Sequence, residues 1–216
     1  MQSDLSPQQQ ALELPSPASA LRWLMLVFEL GLMPVAWLLG WLLGLWSWQQ
    51  VFLLPLPAEC LPLLGLGLLA TLPMLLLLLL VMQSTWSAVI RLREVVDQFV
   101  RTTLSNASIW MLAALSLAAG LGEEWLFRGL LQAGLADWWG EASAPQAILV
   151  AAVIFGLCHW LTHLYFLAAF LIGIYLGWLY WWTESLVVPI VAHALYDLIG
   201  LLVITRAGRS ETPAAS

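Results

Sequence analysis

Gly122-Glu123-Glu124-Trp125-Leu126-Phe127-Arg128-Gly129 is the stretch whose reading decides the fold. It sets two adjacent carboxylates and a guanidinium inside an apolar run from Ile109 to Leu135. Ionisable side chains at membrane depth cost roughly 2.5–3.5 kcal/mol each on insertion scales, so by default they mark function. Two later apolar segments offer partners, Phe155-Gly156-Leu157-Cys158-His159 and His193-Ala194-Leu195-Tyr196-Asp197. On helices, the first and last residues of each five share a face.

The composition supports a membrane setting. Of the 216 residues, 62% are hydrophobic and 9% charged, against roughly 25% charged in a soluble domain. The expected fold is all-α, a polytopic membrane helix bundle. The net charge of −6 comes from scattered acids and the chain has no lysine, so a nucleic-acid partner is not expected. Cys60 and Cys158 are far apart and form no CxxC; both read as buried apolar cysteines rather than a disulfide framework.

Outward from the Glu-Glu-Arg cluster, the chain divides into about six crossings and one amphipathic segment. Residues Met1–Ala20 are rich in Gln, Ser and Pro without a basic n-region, and read as a disordered tail leading into an uncleaved first helix. The helical domain is expected over residues 21–205, with its core at 109–205 and a polar tail at 206–216. The first span, Leu21–Trp46, contains Glu29 and Pro34; Glu29, two turns from Arg22, reads as an interfacial carboxylate. Trp46, Trp48, Gln49 and Gln50 mark a boundary. Pro55, Pro57 and Pro62 argue against a regular helix through Glu59. The second span, Leu61–Met82, shows no chemistry and reads as lipid-facing.

Between Gln83 and Ser105, Val89, Leu92, Val95, Val96, Phe99 and Val100 recur at helical spacing among Arg91, Arg93, Glu94, Asp97 and Arg101. This is an amphipathic interfacial helix with a solvated charged face. After the third span, Asp137–Pro145 reads as a polar loop. The fourth span starts at Gln146 and ends between Trp160 and Tyr165. The fifth runs to Trp182, with Gly173 and Gly177 at small-xxx-small spacing, and the sixth runs from Leu186 to Thr205. With six crossings, Arg22, Arg91, Arg93, Arg101, Arg206 and Arg209 all fall on one side. By the positive-inside rule that side, with both termini, is cytoplasmic, in an inner or plasma membrane.

Depth ties the motifs together. Counted from the same membrane face, Glu123, His159, His193 and Asp197 lie roughly 12–21 Å in, near mid-membrane. Glu124 and Arg128 are i,i+4 neighbours able to pair, which leaves Glu123 free as a general base on water. His159 is placed to share that water, and His193 and Asp197 to stabilise an oxyanion or orient the substrate. His163, one turn beyond His159, reads as interfacial.

The spacings EExxxR, FxxxH and HxxxD, in this order and in consecutive apolar segments, resemble those of the CAAX protease and bacteriocin-processing family, also called Abi. Its members include the CAAX prenyl endopeptidases. The resemblance implies an intramembrane glutamic endopeptidase that needs no cofactor. By it, Glu123 and His159 activate water, His193 and Asp197 stabilise the oxyanion, and Glu124 and Arg128 support the site. Where the prenyl proteases carry asparagine, this chain has Asp197, which donates to an oxyanion only when protonated. The implied partners are the bilayer and a peptide or protein substrate, with or without a lipid. Two other readings stand beside it. One is a zinc-dependent membrane hydrolase built on His159, His163, His193 and Glu123; the other is a non-catalytic immunity or scaffold protein.

Overall fold

The computed structural model describes residues 16–45, 57–104 and 106–207. All regular structure among them is helical. Helix α1 spans Pro17–Leu42, α2 Pro57–Gln83 and α3 Ser87–Leu104. Helix α4 runs through Ile109–Trp139, followed by a 3-10 turn at Glu141–Ser143. Helices α5, α6 and α7 cover Ala144–Cys158, His163–Thr183 and Val187–Ala207. The chain is a polytopic helical bundle, as its hydropathy predicts.

Five of these helices (α1, α2, α4, α6 and α7) are long and apolar enough to cross a membrane. The fourth expected crossing falls on α5, which has 15 residues and is about 22 Å long at 1.5 Å per residue. That is short of the ~30 Å hydrocarbon core. The shortening has a local cause. Helix α5 stops at Cys158, and His159 leaves helical geometry at φ −103°, ψ 25°. Irregular backbone is tolerated at membrane depth only where protein buries it or it lines a cavity. Leu161 of this link does line a cavity.

Other boundaries shift for identifiable reasons. Helix α1 begins four residues ahead of Leu21, where Ser16 accepts from the Ser19 backbone N–H and Pro17 occupies the first turn. Helix α2 runs through Glu59 despite Pro62; the one backbone bond this proline removes, near the helix start, is tolerated as in other membrane helices. Helix α4 continues to Trp139 and ends at Gly140, whose φ of 91° suits a residue without Cβ. The expected loop from Asp137 to Pro145 therefore shrinks to the residues around Gly140–Ser143. Trp46, Trp48, Gln49, Gln50, Pro55 and both tail ends lie outside the described residues.

Small residues set the packing. A Cβ on Gly122 would lie 2.1 Å from the Glu29 carbonyl oxygen, one on Gly120 2.9 Å from Ala194 Cβ, and one on Gly67 2.6 Å from Val191 Cβ. Helices α1 and α7 thus press against α4, and α2 against α7, at backbone distance, as in membrane interfaces built on small residues. Ala70 and Met74 of α2 join Leu176, Leu179, Val188 and Ala192 in a buried cluster. The second span therefore has one packed face, while Leu61, Leu69 and Leu72 remain outward. Both cysteines depart from expectation, because Cys158 is exposed and Cys60 half-buried. An outward position in an apolar bundle asks for no polar group, so the periphery suits cysteine as well as the core.

Candidate active site

The site is built at a change of helix type. From Trp125 to Gln132, α4 widens into a π-helical stretch that follows directly on Glu124. Such π-helical departures inside α-helices are frequent at functional sites. Here Arg128 Nη1 donates to Glu124 Oε1 at 2.7 Å, and both residues are almost wholly buried, at 1% and 0% exposure. Arg128 Nη2 also donates to the Gly173 carbonyl at 3.1 Å. One turn on, Gln132 Nε2 donates to the Gly177 carbonyl at 2.9 Å. The glycine pair read as a packing motif is also an acceptor pair; an added Cβ on Gly177 would lie 2.6 Å from Gln132 Oε1, and one on Gly173 would meet Ala152 of α5 at 3.1 Å.

Phe155 is the hub of the second motif. Its ring lies 4.7 Å beneath the Arg128 guanidinium carbon, edge-on to Phe127 at 5.1 Å and 4.4 Å from the His159 ring. The cation over an aromatic face spreads the arginine's charge in a site with little water. The Phe155 backbone carbonyl also takes a hydrogen bond from His159 Nδ1 at 2.8 Å. A carbonyl only accepts, so Nδ1 carries the proton and Nε2 presents its lone pair to the opposite side. Such a bond fixes both the tautomer and the ring orientation of the histidine.

Four sequence-predicted residues from three segments meet on that side. Glu123 Oε2 lies 3.7 Å from His159 Nε2 and 3.9 Å from His193 Nε2, and has no hydrogen-bond partner within the described chain. Asp197 Oδ2 is 3.5 Å from the same His193 nitrogen. His193 Nδ1 faces the other way, 2.7 Å from Glu124 Oε1. One carboxylate oxygen of Glu124 thus serves both Arg128 and His193, a link the intrahelical pairing rule does not foresee. His163 is exposed and packs on Trp160 at 5.2 Å, apart from this group. Among the described residues, no three His, Cys, Asp or Glu side chains are placed to hold one metal ion.

A cavity of about 650 Å³ connects the site with α3. Glu123, Asp197, Ser116, Tyr165 and Glu29 line it, as do Arg93, Glu94, Asp97 and Arg101. The charged face of α3, expected to be only solvated, therefore forms part of the cavity wall. Glu29, expected at the interface, belongs here too. Its Oε2 is buried without a hydrogen-bond partner in the described chain. The sequence held one signal for this: Glu29 is a lone carboxylate between apolar residues and lies deeper than Arg22.

Residues 105–199 match the family described as type II CAAX prenyl endopeptidase, Rce1-like. The match covers all three motifs and leaves out α1, α2 and α3. An uncharacterized protein, YpbD, from Bacillus subtilis (strain 168) is 34% identical over 96 residues, which are 44% of this chain and 46% of that protein. The chain thus aligns with less than half the length of this curated relative. No solved structure matches it.

Proposed function

We propose that the chain, whose residues 105–199 match the Rce1-like family of type II CAAX prenyl endopeptidases, is an intramembrane endopeptidase working through a glutamate- and histidine-activated water. The observation that carries this reading is the meeting of His159 and His193, from the α5–α6 link and α7, around one buried carboxylate oxygen of Glu123 on α4, with Asp197 beside the same His193 nitrogen.

Each step has a residue suited to it. A water between Glu123 Oε2 and His159 Nε2 loses a proton to Glu123 as its oxygen attacks the substrate carbonyl carbon. His159 offers only a lone pair in that direction, so it orients the water. Negative charge then builds on the former carbonyl oxygen. His193 and Asp197 face that region; His193 donates through Nε2 when both ring nitrogens carry protons, and Asp197 donates when protonated. Glu124, held by Arg128, accepts from His193 Nδ1 and fixes the ring. The tetrahedral intermediate collapses with breakage of the C–N bond, and the proton on Glu123 passes to the leaving amine. The substrate, lipidated or not, enters along the cavity from the α3 side, which the arginine distribution assigns to the cytoplasm.

The test is hydrolysis by purified protein in nanodiscs, using a mixture of lipidated and plain peptides in H2¹⁸O with mass-spectrometric readout. Wild-type protein is expected to give a new carboxylate bearing one ¹⁸O, and Glu123→Gln none. Full activity in Glu123→Gln would remove the assigned base.

A further inference from the structure

Glu29 is a carboxylate with no task in the mechanism, supplied by a helix outside the family match. Its position is enforced by the backbone. The Glu29 carbonyl lies where a Cβ on Gly122 would stand, at 2.1 Å, so α1 cannot rotate or retreat without changing that contact. The residue is thereby held beside the turn that bears Glu123. It lines the same cavity as Glu123 and Asp197 and lies within electrostatic range of His193 and Asp197.

A second observation points to a ligand in this place. Ser116 is 2% exposed, lines the same cavity and has no hydrogen-bond partner for its hydroxyl in the described chain. Nearly all buried polar groups in native structures are paired. Ser116 precedes Glu123 by seven residues, two turns along one helix face and about 10 Å. An extended peptide covers that distance in about three residues.

Charge decides what the ligand carries. The inner cavity bears three carboxyl groups, from Glu29, Glu123 and Asp197. Every nearby arginine is already engaged. Arg128 is bound by Glu124 and the Gly173 carbonyl, Arg101 by Asp97, and Arg93 by the carbonyls of Met82 and Ser84. His193, when both ring nitrogens carry protons, faces Glu123 and Asp197, whereas Glu29 Oε2 has no hydrogen-bond partner in the described chain; a substrate bringing its own cation supplies a counter-charge there, and one bringing an acid meets repulsion. We infer that Glu29, with Ser116 on the same cavity wall, forms a subsite for a lysine or arginine side chain within about three residues of the scissile bond. The inference rests on the peptidase reading for the word scissile, but the binding preference stands without it.

The experiment uses the purified full chain in nanodiscs and sets of fluorescent apolar peptides differing only by lysine, norleucine or glutamate at one position, scanned over six positions. Cleavage is followed with the wild type, and binding with Glu123→Gln, which keeps the peptide intact. At one or two positions lysine is expected to raise both binding and kcat/KM roughly tenfold or more. Glu29→Gln should bring that ratio close to one, Glu29→Asp should keep part of it, and Glu29→Lys should favour glutamate peptides instead. Cleavage without charge preference overturns the subsite and leaves the peptidase standing. Lysine-selective binding without cleavage does the reverse. An equal loss on the lysine and norleucine peptides in Glu29→Gln, with no inversion by Glu29→Lys, makes Glu29 structural and overturns the proposal; absence of both binding and cleavage overturns both readings.

Discussion

Glu124 and Glu123 are adjacent carboxylates in one apolar helix, yet their surroundings give them different work. Glu124 accepts from Arg128 and faces His193 through one oxygen, whereas Glu123 Oε2 lies beyond hydrogen-bond distance of both histidines. Removing the charge of Glu124 leaves a guanidinium buried at 1% exposure without its counter-ion. Breaking one partner of a buried pair costs roughly 3–5 kcal/mol. Glu124→Gln is therefore expected to lower the thermal unfolding midpoint in detergent markedly. Because the same oxygen orients His193, kcat should fall in the folded fraction as well. Glu123→Gln should abolish cleavage while moving the midpoint little, and equal destabilisation by the two substitutions would contradict this division. The intrahelical Glu124–Arg128 pair was legible in the sequence because it follows from i,i+4 spacing alone. The contact between Glu124 and His193 was not, because it depends on how α7 is rotated against α4. Glu29 was misplaced for a similar reason: proximity to Arg22 along the chain is local, while its pairing with Gly122 is tertiary.

Among the elements, glycines separate close helix contacts from open surface. Gly122→Ala drives a Cβ into the Glu29 backbone, and backbone yields less readily than a side-chain tip. Overpacking of this kind typically costs 1–3 kcal/mol, and here it also displaces Glu29 from the cavity. Gly65 of α2 has nothing within 4 Å of an added Cβ, so Gly65→Ala should be neutral or stabilising by up to about 1 kcal/mol. Unfolding midpoints of the two variants, measured side by side, check the contrast; equal effects would contradict the close approach of α1 to α4. Hydropathy made most helices legible, since long apolar runs have few alternatives in a bilayer. It misjudged α5 and the start of α2, where the outcome depends on tertiary surroundings. Helix α5 yields its last turn to the cavity, and α2 begins early enough to hold Pro62 in its opening turns. The π-helical stretch in α4 had no signal in hydrophobic periodicity over so few residues.

For the whole molecule, orientation and metal dependence are the tests. By the positive-inside rule we propose the α3 segment for the cytoplasmic side and the 3-10 turn for the other. Single cysteines introduced at Arg91 and Ser143, in a background lacking Cys60 and Cys158, are expected to react with impermeant reagents from opposite faces. Labelling of both from one face would mean an even number of crossings between them and would overturn this assignment. Cleavage is further expected to survive strong chelation, because the described His, Cys, Asp and Glu side chains offer no three-ligand arrangement. Activity lost to a chelator and restored by zinc would favour the metallohydrolase instead.

The paired bonds from Arg128 to Gly173 and from Gln132 to Gly177 have a mechanical consequence. Donors four residues apart on α4 meet acceptors four residues apart on α6, so the helices engage like two teeth in a rack. Sliding by less than one turn would disengage both teeth at once in a medium with no water to take them up. Helices α4 and α6 therefore act as a rigid jaw. Any parting that admits a polypeptide has to come from the opposite wall of the cavity, where α3 is held by side-chain packing, by Arg22 reaching the Thr103 carbonyl and by Arg93 reaching the carbonyls of Met82 and Ser84.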